Sequence, residues 1–266
     1  MNIKMKKKCL FLGYNSKQTR LIDKIKFFKE VKWDVVHSNK KLNFSKAKKY
    51  NLIITFGYRH IIAREILIKL KKPIINLHIG FLPYNRGSHP NFWSFVENTP
   101  SGVTIHKIDG GLDTGNIIYQ KLIDFQILKN KKKLTFADTH KRLIMEIENL
   151  FIKNIREILS GKFKTYKQVG KGSYHSSRDL PKILKSWRQN IFKTVSKFNN
   201  IKEKKLSKRL MVLNKIQKTR KNNNVNWMNI VRVALKNSPE EASGILNKIN
   251  IDDKKITNLF KELAKH

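Results

Sequence analysis

Asn76, His78 and Asp113 are the residues of this chain whose types and spacing could do chemistry together. Asn76 and His78 flank Leu77 in the apolar run Ile74-Ile75-Asn76-Leu77-His78, which reads as a β-strand. Side chains two apart on a strand point to one face, so an amide and an imidazole aim at a common point. Asp113 lies in Gly110-Gly111-Leu112-Asp113-Thr114-Gly115, a glycine-framed loop able to bring a carboxylate to the same rim. Amide, imidazole and carboxylate suit acyl transfer to an amine. The tetrahedral oxyanion of such a reaction needs hydrogen-bond donors, and the attacking nitrogen must lose a proton. Taken alone, Asn-x-His reads more readily as two core groups that satisfy one another.

The elements around these residues read as an α/β sheet. Residues 9–14 (Cys-Leu-Phe-Leu-Gly-Tyr) form a first short buried strand, Trp33 to His37 a second, Asn51 to Phe56 a third and Ile74 to His78 a fourth. Asn15 and Ser16 are expected to cap a helix over about 17–29, where Leu21, Ile22, Ile25 and Phe28 recur at helical spacing. A second helix is expected over about 60–70. Apolar strands alternating with helices mean a parallel sheet with crossover connections. The ligand site of such a sheet lies beyond the carboxyl ends of its strands, where Gly13-Tyr14-Asn15, Gly57-Tyr58 and the segment after His78 fall. No Gly-x-Gly-x-x-Gly follows the first strand, so a dinucleotide site is not supported.

Gly80 to Asn91 is a long loop, and Phe92 to Glu97 a short helix. Strands are expected over 102–108 and 117–123, and a long helix over 134–159 that starts near Thr135 and stops at Gly161. Residues 162–190 look irregular. From about 191 the pattern is helical. Eleven basic residues stand against one acidic residue over 193–221, with a break expected at Asn222-Asn223-Asn224. Ser238-Pro239-Glu240-Glu241 reads as a helix start, and Asp252 as the cap of a last helix. The domain organisation expected is 1–178 for the site-bearing domain, 179–222 for a basic helical linker and 223–266 for a small helical module.

The formal net charge is +38 over 266 residues. Residues 1–160 hold 31 Lys and Arg against 12 Asp and Glu, and residues 161–266 hold 26 against 7, so each part carries +19. A nucleic-acid groove would concentrate charge on one element, and the even spread reads instead as background. Cys9 is the single cysteine, which excludes an intrachain disulfide and fits a reducing cytoplasm. No Cys/His group has metal-ligand spacing, and no metal is expected. Lys4, Lys6, Lys7 and Lys8 before Cys9-Leu10-Phe11-Leu12 mimic a signal peptide, but the apolar run is short of the ~7–15 residues one needs. No stretch has the ~18 apolar residues of a membrane span.

Asn76-Leu77-His78, Leu82-Pro83-Tyr84-Asn85-Arg86-Gly87, Gly102-Val103-Thr104-Ile105-His106 and Leu112-Asp113-Thr114-Gly115, in this order, resemble the folate-dependent formyltransferase family. That family includes glycinamide ribonucleotide, methionyl-tRNA and nucleotide-sugar N-formyltransferases. The resemblance covers about residues 9–178 and is strongest over 74–120. It implies a Rossmann-like, mostly parallel sheet with helices on both faces, here with an α-helical C-terminal extension. It implies 10-formyltetrahydrofolate as formyl donor and Asn76, His78 and Asp113 as the catalytic trio. Leu82 and Pro83 would help wall the folate site. His60, Ile61 and Ile62, with Ile108, Asp109 and Gly110, would cradle the pterin largely through backbone groups. Many members have Ser-Leu-Leu-Pro where this chain has Gly80-Phe81-Leu82-Pro83, so Phe81 is expected to narrow the site or redirect the loop. His89, His106 and His175 read as structural or substrate-loop residues.

The loop Pro83 to Trp93 looks most like enzymes that formylate amino sugars, usually nucleotide-linked, in surface-polysaccharide biosynthesis. Methionyl-tRNA is the alternative acceptor. A non-enzymatic alternative is a basic binding protein on the same fold. The helical tail is expected to be an oligomerisation or docking module, or else a plain helical extension.

Overall fold

The structure is a computed structural model that describes residues 7–125 and 133–263. Lys4 and Lys6 of the basic leader lie outside the described residues. The chain separates into two compact units, Met1–Asn199 and Asn200–His266.

The first unit begins β1 (Lys7–Gly13), α1 (Leu21–Lys26), β2 (Val31–His37), α2 (Phe44–Ala47), β3 (Leu52–Phe56), α3 (Arg64–Leu70) and β4 (Ile74–His78). It continues β5 (Arg86–Gly87), α4 (Pro90–Val96), β6 (Gly102–Lys107), β7 (Ile117–Leu122), α5 (Phe136–Ser160) and β8 (Tyr174–His175). Six strands form one sheet in the order β2-β1-β3-β4-β6-β7. The first four run parallel, and β6 is antiparallel to both β4 and β7. β5 and β8 pair separately, in parallel.

The unbroken apolar run of β1 exists because both faces of the sheet are covered. Cys9 and Phe11 face one way and pack with Leu21 and Ile25 of α1 and Leu143, Ile147, Phe151 and Ile155 of α5. Leu10 and Leu12 face the other way, against Ala47 of α2 and Ile66 and Leu70 of α3. The period of two along the strand thus feeds two cores.

The long helix α5 starts as its sequence dictates. The Thr135 side chain accepts from the Asp138 backbone N–H while the Asp138 carboxylate accepts from the Thr135 N–H. Gly161 closes it at φ 74. The start of α1 differs from expectation. Asn15 shapes only a local turn, and the helix begins later, at Leu21. There buried Glu148 of α5 accepts from the Thr19 hydroxyl at 2.7 Å, the Arg20 N–H at 3.0 Å and Lys24 Nζ at 3.1 Å. The Leu21 N–H is capped locally by Thr19 Oγ1 at 3.1 Å, whereas the contribution of distant Glu148 leaves no local sequence trace.

Two long helices end the chain, α6 (Ile191–Asn237) and α7 (Pro239–Leu263). Within the first unit, Ile191 at the head of α6 is buried in a cluster with Phe92 and Phe136. The backbone of the second unit stays helical through Asn222-Asn223-Asn224, and Asp252 lies inside α7. Asparagine costs a helix only ~0.7 kcal/mol against alanine, so three in a row weaken it without ending it. The break comes at Ser238, just before Pro239. No helix among the described residues is long and apolar enough to cross a membrane.

Candidate active site

Asn76 and His78 occupy the carboxyl end of β4. Parallel pairing with β3 sets Thr55 opposite Asn76, and antiparallel pairing with β6 sets His106 opposite Asn76 and Thr104 opposite His78. The Thr55 hydroxyl donates to Asn76 Oδ1 at 2.8 Å, which fixes the oxygen end of the amide. Asn76 Nδ2 then faces His106 Nε2 at 3.1 Å and donates to Asp113 Oδ1 at 3.2 Å.

Asp113 reaches this point in the left-handed region, at φ 53. Its loop is held by Asp109, whose Oδ1 accepts from the Gly111 N–H at 3.0 Å and the Thr114 hydroxyl at 2.6 Å. The end of the loop presses so closely on β6 that a Cβ on Gly115 would lie 1.8 Å from the Lys107 carbonyl oxygen. The Asp113 carboxylate accepts from the Gly87 N–H at 2.9 Å through Oδ2. It also lies 3.5 Å from His78 Nδ1 and 3.4 Å from His106 Nε2.

Burial alone would push the Asp113 carboxyl up. The imidazoles of His78 and His106 and the Gly87 N–H outweigh it and hold the group well below the usual carboxylate range. Burial pushes His78 down, against the pull of Asp113. The site at rest is therefore a neutral imidazole beside an ionised carboxylate. A proton on His78 Nδ1 would face the carboxylate at 3.5 Å and leave the lone pair on Nε2. That Nε2 is buried and has no hydrogen-bond partner among the described residues.

His106 belongs to this cluster as a buried side chain that supports Asn76. It is fully buried, and its Nδ1 lies 2.8 Å from the Lys107 carbonyl oxygen, to which it donates in the tautomer that leaves Nε2 for Asn76. The alternation Thr104-Ile105-His106 places its side chain on one face, but only the register with β4 brings it to Asn76.

His60, Ile61 and Ile62 and, across from them, Ile108, Asp109 and Gly110 line one cleft together with Asn76, His106 and Asp113. His60 Nε2 is buried without a partner among the described residues. Leu82 and Pro83 are not in this lining, and neither is His78. The Leu82 N–H donates to Thr104 Oγ1 at 3.2 Å, its carbonyl accepts from Gln120 Nε2 at 2.7 Å, and Pro83 lies against Gly172. The peptide joining Leu82 to Pro83 is cis.

Gly80 and Phe81 have separate local reasons. A Cβ on Gly80 would lie 2.5 Å from His78 Nε2, so the imidazole fits only over a glycine. The Phe81 ring sits on Gly102 at the start of β6, outside the cleft lining. His175 stacks on Trp93 with ring centroids 3.8 Å apart, its Nε2 2.9 Å from Glu97 Oε1. His89 packs against Trp187. Among the described residues no group of three His, Cys, Asp or Glu could hold a metal ion.

A Rossmann-like sheet with this cluster at the strand ends defines a class that comparison with known proteins identifies. The formyl transferase family matches residues 13–146, half of the chain, and the chain belongs to that family. It is similar to the solved formyltransferase PseJ from Anoxybacillus kamchatkensis, in complex with UDP-4,6-dideoxy-4-formamido-L-AltNAc and tetrahydrofolate. The two are 37% identical, with 70% of this chain and 97% of that chain covered and a TM-score of 0.62. Among curated proteins it is 28% identical over 143 residues to methionyl-tRNA formyltransferase of Clostridium botulinum, covering 53% of this chain and 45% of that protein. It is 27% identical over 137 residues to dTDP-4-amino-4,6-dideoxyglucose formyltransferase of Mycobacterium tuberculosis, covering 51% and 55%. The chain spans about half the length of the curated relatives it matches.

Proposed function

We propose that this protein transfers the formyl group of 10-formyltetrahydrofolate to the amine of a nucleotide-linked amino sugar. The observation that carries the reading is the buried His78 Nε2, unpartnered among the described residues, on an imidazole whose other nitrogen faces the ionised Asp113. Such a pair can take a proton from an attacking amine.

The cleft between 60–62 and 108–110 suits the pterin, and the buried His60 Nε2, without a partner among the described residues, belongs to a residue of its lining. The acceptor then comes from the side of His78 and the Gly80–Pro90 loop. Asn76 Nδ2 donates to the formyl oxygen as charge develops on it, giving up the longer bond to Asp113. The amine nitrogen forms its bond to the formyl carbon, and the bond from that carbon to the folate nitrogen breaks as the tetrahedral oxyanion collapses. The amine proton passes to His78 Nε2, and the imidazolium so formed rests against Asp113 before it returns the proton to the leaving nitrogen. His78 and Asp113 carry the proton, and Asn76 carries the oxyanion.

Similarity to PseJ along 97% of that chain supports a nucleotide-linked 4-amino-4,6-dideoxy sugar as acceptor. The methionyl-tRNA reading rests on curated relatives such as that of Clostridium botulinum, matched over less than half its length. The buried, free Cys9 suits a reducing compartment such as the cytoplasm. The acceptor is tested by offering the protein 10-formyltetrahydrofolate with UDP- and dTDP-linked amino sugars and, separately, aminoacylated initiator tRNA. Formylation of a sugar nucleotide with little response to salt supports the proposal. Formylation of the tRNA with affinity falling steeply as salt rises would replace it.

A further inference from the structure

Residues 162–173 form no helix and no named strand, and one of their side chains, Gln168, reaches the loop that carries Asp113. Tyr166 bridges the start of β7, exchanging backbone hydrogen bonds with Ile117 at 2.8 and 2.9 Å. This lays Gln168 over the loop that carries Asp113. Gln168 Nε2 donates to the Asp113 carbonyl oxygen at 2.8 Å and to the Gly115 carbonyl oxygen at 2.9 Å. Its Oε1 accepts from Arg86 Nε at 3.1 Å and Arg86 Nη2 at 2.8 Å. Both donors and both acceptor positions of the amide are used.

These bonds close a ring. Arg86 is followed by Gly87, whose N–H holds Asp113 Oδ2 at 2.9 Å. Asp113 is thus gripped at its carboxylate by the backbone beside Arg86 and at its carbonyl by Gln168, and the Arg86 side chain ties the two grips together. A non-glycine residue at φ 53 persists when its surroundings over-determine it. The strand pair β5–β8 reinforces the ring, because the Arg86 N–H donates to the Ser173 carbonyl oxygen at 3.0 Å.

We infer that Gln168, bridged to Arg86, is a positioning residue that sets the Asp113 carboxylate against His78. The inference rests on the role proposed for Asp113. Gln168 touches neither imidazole, so it acts through the place of the carboxylate. A glutamine that merely joined two loops would, when replaced, lower stability and leave turnover per folded molecule and the titration of His78 unchanged.

The test uses the full chain with Gln168→Leu, and Gln168→Glu as a second variant that keeps acceptance from Arg86 but loses donation to the two carbonyls. Turnover with 10-formyltetrahydrofolate and the best sugar-nucleotide acceptor is measured beside the His78 imidazole titration, read by NMR. The expected result is a loss of kcat of about tenfold or more, with both KM values within about twofold. The His78 titration should also move to lower pH, because the anion that favours its charged form is less well placed. Folded variants with kcat within about twofold of wild type and an unmoved His78 titration would overturn the inference. If wild type transfers no formyl group to any amine, the proposed function fails, and the NMR arm still decides the positioning role. Should Gln168→Leu not fold, Gln168→Glu is read by the same criteria.

Discussion

His78 Nδ1 stands 3.5 Å from Asp113 Oδ2, in a setting that leaves the histidine side chain 7% exposed. The carboxylate is ionised because two imidazoles and a backbone N–H oppose the effect of burial, and the imidazole is neutral because burial prevails there. A neutral base beside a fixed anion gains basicity once a proton arrives.

Replacing either member should therefore remove proton transfer while leaving the sheet intact. His78→Ala and Asp113→Ala are each expected to lower kcat by at least ~100-fold, the lower end of what positioned acid–base groups supply. Steady-state kinetics on protein shown by circular dichroism to be folded checks this. Near wild-type turnover in either variant would remove that residue from the mechanism.

The acid limb of kcat/KM should follow His78 and lie below the ordinary histidine value, because burial lowers that group. Asp113→Asn should move the limb to still lower pH. Stability obeys the same signs. A histidine depressed in the fold is protonated first in the unfolded chain, so stability falls as pH drops below the ordinary histidine range. Asp113, also depressed, adds stability that is present above its unfolded value and lost as pH falls through its folded one. Urea unfolding across pH should show a shallower acid loss for Asp113→Asn below about pH 4. An unchanged slope would mean that the carboxylate is not held as described.

Gly80→Ala should disturb the imidazole directly. The new methyl would lie 2.5 Å from His78 Nε2 and 3.0 Å from Pro90 Cβ, so the imidazole or the loop must shift. The expected cost is about 1–3 kcal/mol of stability, typical of overpacking, with a fall in kcat of tenfold or more. Phe81→Leu, outside the cleft, should keep the donor KM within about twofold. A harmless Gly80→Ala would show that the loop yields and that His78 is less tightly seated.

Removal of residues 200–266 should leave the chemical step intact. Asn76, His78, Asp113 and Gln168 all belong to the unit Met1–Asn199, and the cut spares Ile191, which packs with Phe92 and Phe136. Leu206, Leu210, Trp227 and Ile230 expose large apolar surface in the second unit, so oligomeric state is the property expected to change. Single-turnover kinetics with light scattering tests both. Loss of the chemical step in a folded truncation would show that the helices help build the site.

What the sequence could convey depended on range. The period of two on β4 placed Asn76 and His78 on one face, and the glycines around Asp113 announced its loop. The place of His106 beside Asn76 lies in the antiparallel register of β4 and β6, and no local pattern encodes a register. Gln168 sits in a stretch without periodicity and acts through two backbone carbonyls, which are silent in sequence. The same holds for Glu148, which caps a helix more than a hundred residues earlier. In the tail, three asparagines lack the terminating power of proline, and the helix runs on to Asn237, just before Ser238 and Pro239.

The most direct measurement follows a labelled formyl group from 10-formyltetrahydrofolate. With wild-type protein and a UDP- or dTDP-linked 4-amino-4,6-dideoxy sugar, the label should appear as a formamide on the sugar amine, and Asp113→Asn should slow its appearance at least ~100-fold. Label on no sugar amine, or label transferred undiminished by the variant, would contradict the account.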